Sequence, residues 1–234
     1  MIVSINQPAY VPWLGYFHRI AASNLHIVLD HVQFEKNSFT NRNKIPTAGG
    51  YSWLTVPVRT SGRFGALPIA ELEIETSSDW ARKHWMTLSQ RYAKARYFAE
   101  HAAFFESLYC QRWERLIDLC DRVTRYLLAA FDIRTELRRS STMEPRGAKD
   151  EVILDLCRKA GATTYLSGAL GRNYLRESLF AAAGIRVIYQ DYQHPTYPWP
   201  GGAFQPYMAA VDLLFHHGPA SREILMGGQE AVAA

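Results

Sequence analysis

Residues 2–34, IVSINQPAYVPWLGYFHRIAASNLHIVLDHVQF, decide the fold. Ile2, Val3 and Ile5 form a short apolar run that stops at Asn6-Gln7-Pro8. Pro8 and Pro12 have no N–H to donate to a ladder, so a strand must end before them. Gly15 follows, then Tyr16, Phe17, Ile20 and Ala21 at helical spacing, before His26-Ile27-Val28-Leu29 runs apolar into Asp30. This is the outline of a strand–loop–helix–strand unit. A right-handed crossover returns the second strand parallel to the first, so Gln7 and Asp30, each just past a strand, emerge on the same sheet edge.

Outward from this unit, a polar loop, HVQFEKNSFTNRNKI, carries Gln33, Asn41, Arg42 and Asn43 and leads to a strand at YSWLTVPV. A Gly/Arg loop follows, and then Ile69–Glu75, IAELEIE, reads as a half-exposed edge strand. From Ser78 or Asp79, a plausible cap, the period becomes helical through Trp85, Leu88, Tyr92 and Ala95. A longer helix is predicted from about His101 to Phe131, and the two form a helical hairpin over about 79–131 packed on the sheet. Ile133–Met143 is an extended connection or short edge strand. A helix through Val152, Ile153, Leu156 and Cys157, ending at Gly161, then precedes the strand Thr163–Leu166. A helix over about Arg172–Ala183 and the strand Ile185–Gln190 complete a second βαβ unit. The segment YQHPTYPWPGGAFQP reads as an ordered loop, a helix follows through Val211, Leu214 and Phe215, and a short helical turn covers Ser221–Met226. The last eight or so residues are expected to fray.

The expected class is therefore α/β: one domain over residues 1–234, with a mostly parallel sheet built from two βαβ units. The 234 residues, 48% hydrophobic and 13% aromatic, suffice for one core. No apolar run approaches a membrane span and the first residues lack a signal-peptide pattern, which predicts a cytoplasmic protein without a membrane span. Net charge is +4, yet 26 basic residues are dispersed among 22 acidic ones, a pattern that argues against nucleic-acid binding. Cys110, Cys120 and Cys157 lack metal-ligand or redox spacing and read as reduced core residues. No metal and no cofactor is called for. The serine-hydrolase elbow, the phosphate loop, the zinc-protease helix and the GxGxxG dinucleotide fingerprint are all missing from the sequence.

Four strand ends bring Gln7-Pro8, Asp30-His31, Ser167-Gly168 and Gln190-Asp191 to one crevice, where open α/β sheets bind ligands. The loop carrying Gln33, Asn41, Arg42 and Asn43 can fold over it, and Lys149 and His194 can line it. This set suits a polar, anionic ligand such as a nucleotide-linked sugar. Asp30 orients a hydroxyl or amine or, alternatively, bonds backbone N–H groups of its own loop. Arg42 binds a phosphate or carboxylate or pins its own loop, and Lys149 holds an anion at the following helix's N-terminus or is solvated. His194 is a general base or a structural loop histidine. Tyr10, Trp13, Tyr16 and Tyr174 pack the core or stack on a sugar or base.

The stretches QPAYVPWLGYFHRI, LDHVQFEKNSFTNRNKI, WLTVPV, GAKDEVILDLC, TTYLSG with NYL close behind, and the terminal GIRVIYQDYQHPTYP and FQPYMAAVDLLFHHG resemble the WbqC-like family, in order and over nearly the whole chain. The resemblance implies a biosynthetic transferase of O-antigen, other glycan or specialised-metabolite assembly, which acylates or aminoacylates an amino sugar or related substrate, with an acyl carrier protein as a candidate donor. It is carried by Gln7, Pro8, Pro12, Trp13, Gly15, Tyr16, Asp30, Gln33, Asn41, Arg42, Asn43, Lys149, Ser167, Gly168, Tyr174 and His194. His216 departs from it, standing where the pattern has asparagine. The strand followed by Trp-Leu-Gly-Tyr also resembles the HxGH region of nucleotidylyltransferases, with Trp13 and Tyr16 in place of the histidines. Adenylylation is accordingly one alternative, and a non-catalytic scaffold subunit of a biosynthetic complex is another.

Overall fold

The computed structural model describes residues 1–63, 65–200 and 203–227. Five short strands form a wholly parallel sheet: β1 (Ile2–Asn6), β2 (Leu25–Val28), β5 (Glu136–Arg139), β6 (Thr164–Ser167) and β7 (Arg186–Tyr189). Their spatial order is β5-β2-β1-β6-β7. The chain builds outward from β1 through β2 to β5, then crosses to the other side of β1 for β6 and β7. Between β1 and β6, therefore, the winding direction reverses, and successive loops diverge to leave a crevice at the carboxyl ends. The edge strand β5, Glu-Leu-Arg-Arg, is charged and half exposed, which discourages pairing with another chain.

Alternation along β1 divides the two faces. Val3 and Ile5 pack with Leu25, Ile27 and Tyr165 against α5 (Asp150–Lys159) and α6 (Glu177–Ala182). The opposite face lies under α1 (Leu14–Ala21) and is joined by the larger apolar cluster of α2 (Trp80–Tyr92), α3 (Phe98–Cys110), α4 (Leu116–Ala130), α7 (Val211–His217) and α8 (Ser221–Met226). On α4 the apolar positions Leu116, Leu119, Cys120, Val123, Leu127 and Leu128 form one buried stripe. Fully burying one such leucine stabilises the fold by ~2 kcal/mol. Both βαβ units predicted from the sequence, and the edge strand after residue 133, are present.

Three elements differ in kind from the sequence reading, and a fourth differs in length. The long helix from His101 to Phe131 is two helices. Gln111 and Arg115 are extended, and the segment between the helices pairs with residues 72–74 through Ile74 N–H to Glu114 O (2.8 Å) and Leu116 N–H to Leu72 O (2.9 Å). The apolar spacing continues across the break because Trp113 folds back and donates its indole N–H to Leu108 O. The hairpin is thus a three-helix layer. Ile69–Glu75 is not a ladder strand but a 3-10 turn, Ile69–Glu71, followed by single bridges. The spacing of three from Ile69 to Leu72 is that turn. Finally, part of the polar loop is β3 (Arg42–Thr47), antiparallel to β4 (Gly50–Thr55), with Pro46 tolerated because the two-stranded sheet leaves it an edge.

The helix expected over 172–183 is shorter, α6 being preceded by a 3-10 segment, Ala169–Asn173. Of the three thiols, Cys120 and Cys157 are buried and Cys110 is exposed. Burial pushes the Cys157 thiol up to about 12, so it is no nucleophile. The predicted fraying falls on residues 228–234, which lie outside the described residues. Among the described residues no helix is long and apolar enough to cross a membrane.

Candidate functional site

The site is built from the loops that leave the carboxyl ends of the parallel strands. After β1 the chain enters Gln7–Trp13, an unusual loop because it is buried: Tyr10 and Val11 are both fully inaccessible. Val11 has φ +43°, a left-handed conformation costing a β-branched residue ~1–3 kcal/mol. The surroundings enforce it. Asn43 Nδ2 donates to Val11 O (2.6 Å), Tyr10 N–H to Phe39 O (3.0 Å) and Ala210 N–H to Pro12 O (2.9 Å). β3 and the α7 entrance thus clamp the loop that delivers Trp13 to the start of α1. The Trp13 ring lies over Gly15, where a Cβ would sit 2.1 Å from it.

Trp13 begins a continuous wall of rings. Its indole meets Tyr192 and Tyr207, each at 5.7 Å between centroids, Tyr192 meets His18 at 4.7 Å, and Tyr207 meets His194 at 5.0 Å. His194 also contacts Tyr192 at 6.2 Å. The wall spans the loop after β1, the first turns of α1 and the loop after β7.

Hydrogen bonding fixes both imidazole tautomers. Gln190, just past β7, donates from Nε2 to Gly15 O (2.8 Å), and its second N–H faces His18 Nδ1 at 3.0 Å. His18 Nδ1 is therefore an acceptor, and neutral His18 carries its proton on Nε2. His194 Nδ1 lies 2.9 Å from Pro195 O, which only accepts, so His194 is protonated on Nδ1 and its Nε2 lone pair has no hydrogen-bond partner among the described residues. Burial lowers the pKa of both, keeping them neutral near pH 7. One wall thus holds a neutral donor and a neutral acceptor.

Beside it lies a group that sequence reasoning missed. Arg19, in the second turn of α1, is 9% exposed, and among the described residues it makes no hydrogen bond or ion pair. Its guanidinium rests against the turn after β6: a Cβ on Gly168 would lie 2.5 Å from Nη1. The tyrosines acting on its charge, Tyr165, Tyr16 and Tyr174, are neutral phenols whose pKa values burial raises further. The available signal was position, since an arginine stands three residues after Tyr16 on the buried stripe of α1.

The other candidates fall into three groups. Gln7, Trp13, Ser167, Gly168, Tyr174 and His194 belong to the strand-end crevice or its wall. Gln7 is half buried without a side-chain hydrogen bond among the described residues, and Ser167 Oγ donates to Gly168 O (3.1 Å). Asp30 sits at the same edge but turns toward β5. Its carboxylate accepts from Ser140 Oγ (3.0 Å), Ser141 N–H (2.8 Å) and Ser141 Oγ (2.8 Å), and it is fully buried. It ties the ends of β2 and β5 together.

The residues of the polar loop and of β3 are engaged with backbone. Gln33 Oε1 accepts from Leu67 N–H, Asn41 Nδ2 donates to Val56 O, and Asn43 clamps Val11. Arg42 donates to Asn37 O and lies 4.2 Å over the Trp53 ring, beside a cavity of ≈ 310 Å³ lined by Phe34, Lys36, Asn41 and Arg42. Tyr10 is in the helical core, bonded to His84 Nδ1 (2.9 Å) and Tyr109 OH (2.6 Å), and buried Tyr16 packs edge-on to His26. Lys149 is exposed at the entrance of α5 with φ +54°.

The match to the WbqC-like protein family extends over residues 7–224, from the clamped loop through α7 and into α8. The chain belongs to that family. An uncharacterized protein of Mycobacterium tuberculosis (strain ATCC 25618 / H37Rv), Rv1507c, is 36% identical over 225 residues, covering 95% of this chain and 96% of its own. No solved structure matches the chain significantly. Membership in the WbqC-like family thus accounts for the chain as a whole, and the chemistry must be argued from the site.

Proposed function

We propose that this WbqC-like protein is a biosynthetic transferase that moves an acyl or aminoacyl group from an activated donor to an amine or hydroxyl of a polar substrate, such as an amino sugar in glycan or specialised-metabolite assembly. The observation that carries this reading is the pair of neutral imidazoles with opposite tautomers that share Tyr192 as a neighbour. As the substrate's nitrogen or oxygen attacks the acyl carbon, His194 Nε2 takes the proton it sheds, and His18 Nε2–H donates to the carbonyl oxygen as charge develops there. The C–N or C–O bond forms, the bond to the donor breaks, and the donor leaves with the proton returned from His194. Gln7 and Tyr174 contact the substrate at the rim, while Asp30 holds that rim in shape through Ser140 and Ser141. A carrier-protein thioester suits such a donor.

Purified protein is incubated with amino sugars and with aminoacyl or acyl thioesters on coenzyme A or carrier protein, and products are followed by mass. The expected result is an acylated sugar whose formation falls by about 10²–10⁴ in His194→Ala and stays unchanged in Arg134→Ala, which alters an exposed ion pair. Full rate in a His18→Gln/His194→Gln double variant would refute the assigned roles.

A second reading has its own support. The sheet order, with a loop and helix directly after the central first strand, is a nucleotide-binding arrangement. An adenylylating enzyme would exchange labelled pyrophosphate into ATP when given its acid, whereas the transferase would not.

A further inference from the structure

We infer that Arg19 and the Gly168 turn form a built subsite for a single oxyanion of the ligand, a phosphate or a carboxylate, in the crevice between β1 and β6. The inference deepens the transferase reading by naming the charge of the substrate class, and it rests on that reading only for where the substrate enters.

A guanidinium offers five N–H donors and stays charged in any protein environment. Arg19 has been moved out of water to 9% exposure, its Nε has neither solvent nor a partner, and none of its donors reaches an acceptor among the described residues. Buried charges are ordinarily paired, as buried Asp150 is with the exposed Arg176 at 2.8 Å. The groups acting on Arg19 are instead Tyr16, Tyr165 and Tyr174, and its charge in turn bears on His26, held neutral by a pKa pushed down to about 3. One positive charge, that of Arg19, therefore stands without a counter-charge among the described residues at the point where the sheet's topology places ligands.

Gly168 supplies the second feature. Its φ of −70° is open to any residue, so the glycine is there for space: a Cβ would stand 2.5 Å from Nη1 and 3.3 Å from Cζ. The missing side chain lets the guanidinium lie against the turn after β6. A fork of parallel N–H donors in a dry site recognises the paired oxygens of phosphate or carboxylate. Tyr174, 56% exposed and electrostatically coupled to Arg19, marks the solvent side.

The test uses the full chain at constant ionic strength. Thermal shifts and calorimetry are recorded against inorganic phosphate, pyrophosphate, acetate and succinate, with chloride as control. At least one class is expected to bind saturably, and Arg19→Met should weaken that binding at least tenfold. A response to phosphates alone assigns a phosphoryl group, and a response to carboxylates alone assigns an acyl or amino acid. Gly168→Ala keeps the charge but occupies the cradle, and should weaken binding similarly, so the proposal stays testable if Arg19→Met fails to fold. No anion exceeding chloride, or equal binding by wild type and both variants, overturns the subsite. Anion binding lost in the variants without any transfer activity would sink the transferase reading and leave the subsite standing. Transfer activity with anion binding insensitive to both variants would do the reverse.

Discussion

The carboxylate of Asp212 on α7 is 1% exposed and accepts hydrogen bonds from Tyr92 OH (3.0 Å), Tyr197 OH (3.0 Å) and Trp199 Nε1 (3.2 Å), with His216 Nε2 4.0 Å away. The guanidinium of Arg19 on α1 is nearly as buried and accepted by nothing among the described residues. Burying either charge is costly, and only the first is compensated inside the fold. Asp212 belongs to architecture: it staples the aromatic loop after β7 to α7 and to the helical layer. Arg19 lies on the crevice and has its donors to spare. A buried charge with satisfied neighbours explains a fold, whereas one without them points to what the fold binds.

The contrast can be broken most strongly with acid. His26 carries a pKa lowered to about 3 and His84 one lowered to about 4, both chiefly by burial, and Arg19 depresses His26 further. Depressed folded-state values mean the unfolded chain binds more protons below its ordinary histidine pKa of 6.5. The stability contributed by keeping these rings neutral is complete above pH 6.5 and is lost as pH falls toward 4 and 3. Each accounts for about 3 kcal/mol by pH 4. Urea unfolding from pH 7.5 to 4 should show this loss, and His84→Gln should flatten it. A profile level down to pH 4.5 would contradict the burial assigned to both rings.

The next effect lies with Asp212. Asp212→Ala strands two buried donors and a half-buried one and should destabilise by ~3–5 kcal/mol in denaturant titration, whereas Asp212→Asn, which keeps an acceptor oxygen, should cost less. Arg19→Met is expected to do the opposite without ligand. Removing an uncompensated buried cation in favour of an apolar chain of similar length should be neutral or stabilising by ~1–4 kcal/mol. A loss as large as that of Asp212→Ala would place Arg19 in architecture after all.

The same contrast explains what was legible in the sequence. Both βαβ units announce themselves through apolar runs ended by Pro8, Asp30, Gly168 and Gln190, because strand burial and strand termination are local properties. The break before Leu116 was hidden, since Trp113 keeps the apolar spacing while residues 72–74 capture the backbone from a distance. β3 was hidden because Arg42, Asn43 and Lys44 are polar and only pairing with β4 makes them a strand. At the site, His194 and the strand-end residues were visible as residue types. Arg19 was not, because its distinguishing property is the lack of a partner, and a sequence displays residues without displaying their neighbours.

The smallest effect concerns the clamp on Val11. Replacing this residue with glycine removes a fully buried side chain, a loss of ~1.5–3 kcal/mol, and adds ~0.5–1 kcal/mol of backbone entropy. It also relieves a left-handed conformation worth ~1–3 kcal/mol, which glycine adopts freely. The terms largely cancel, so Val11→Gly should destabilise by only about 1 kcal/mol, less than Val56→Gly at an equally buried position whose φ is not positive. Activity should fall further than stability, because a relaxed loop no longer fixes Trp13 against Tyr192 and Tyr207. If both glycine variants lose the same stability, the strain at Val11 contributes nothing to the balance, and the loop is held by packing alone.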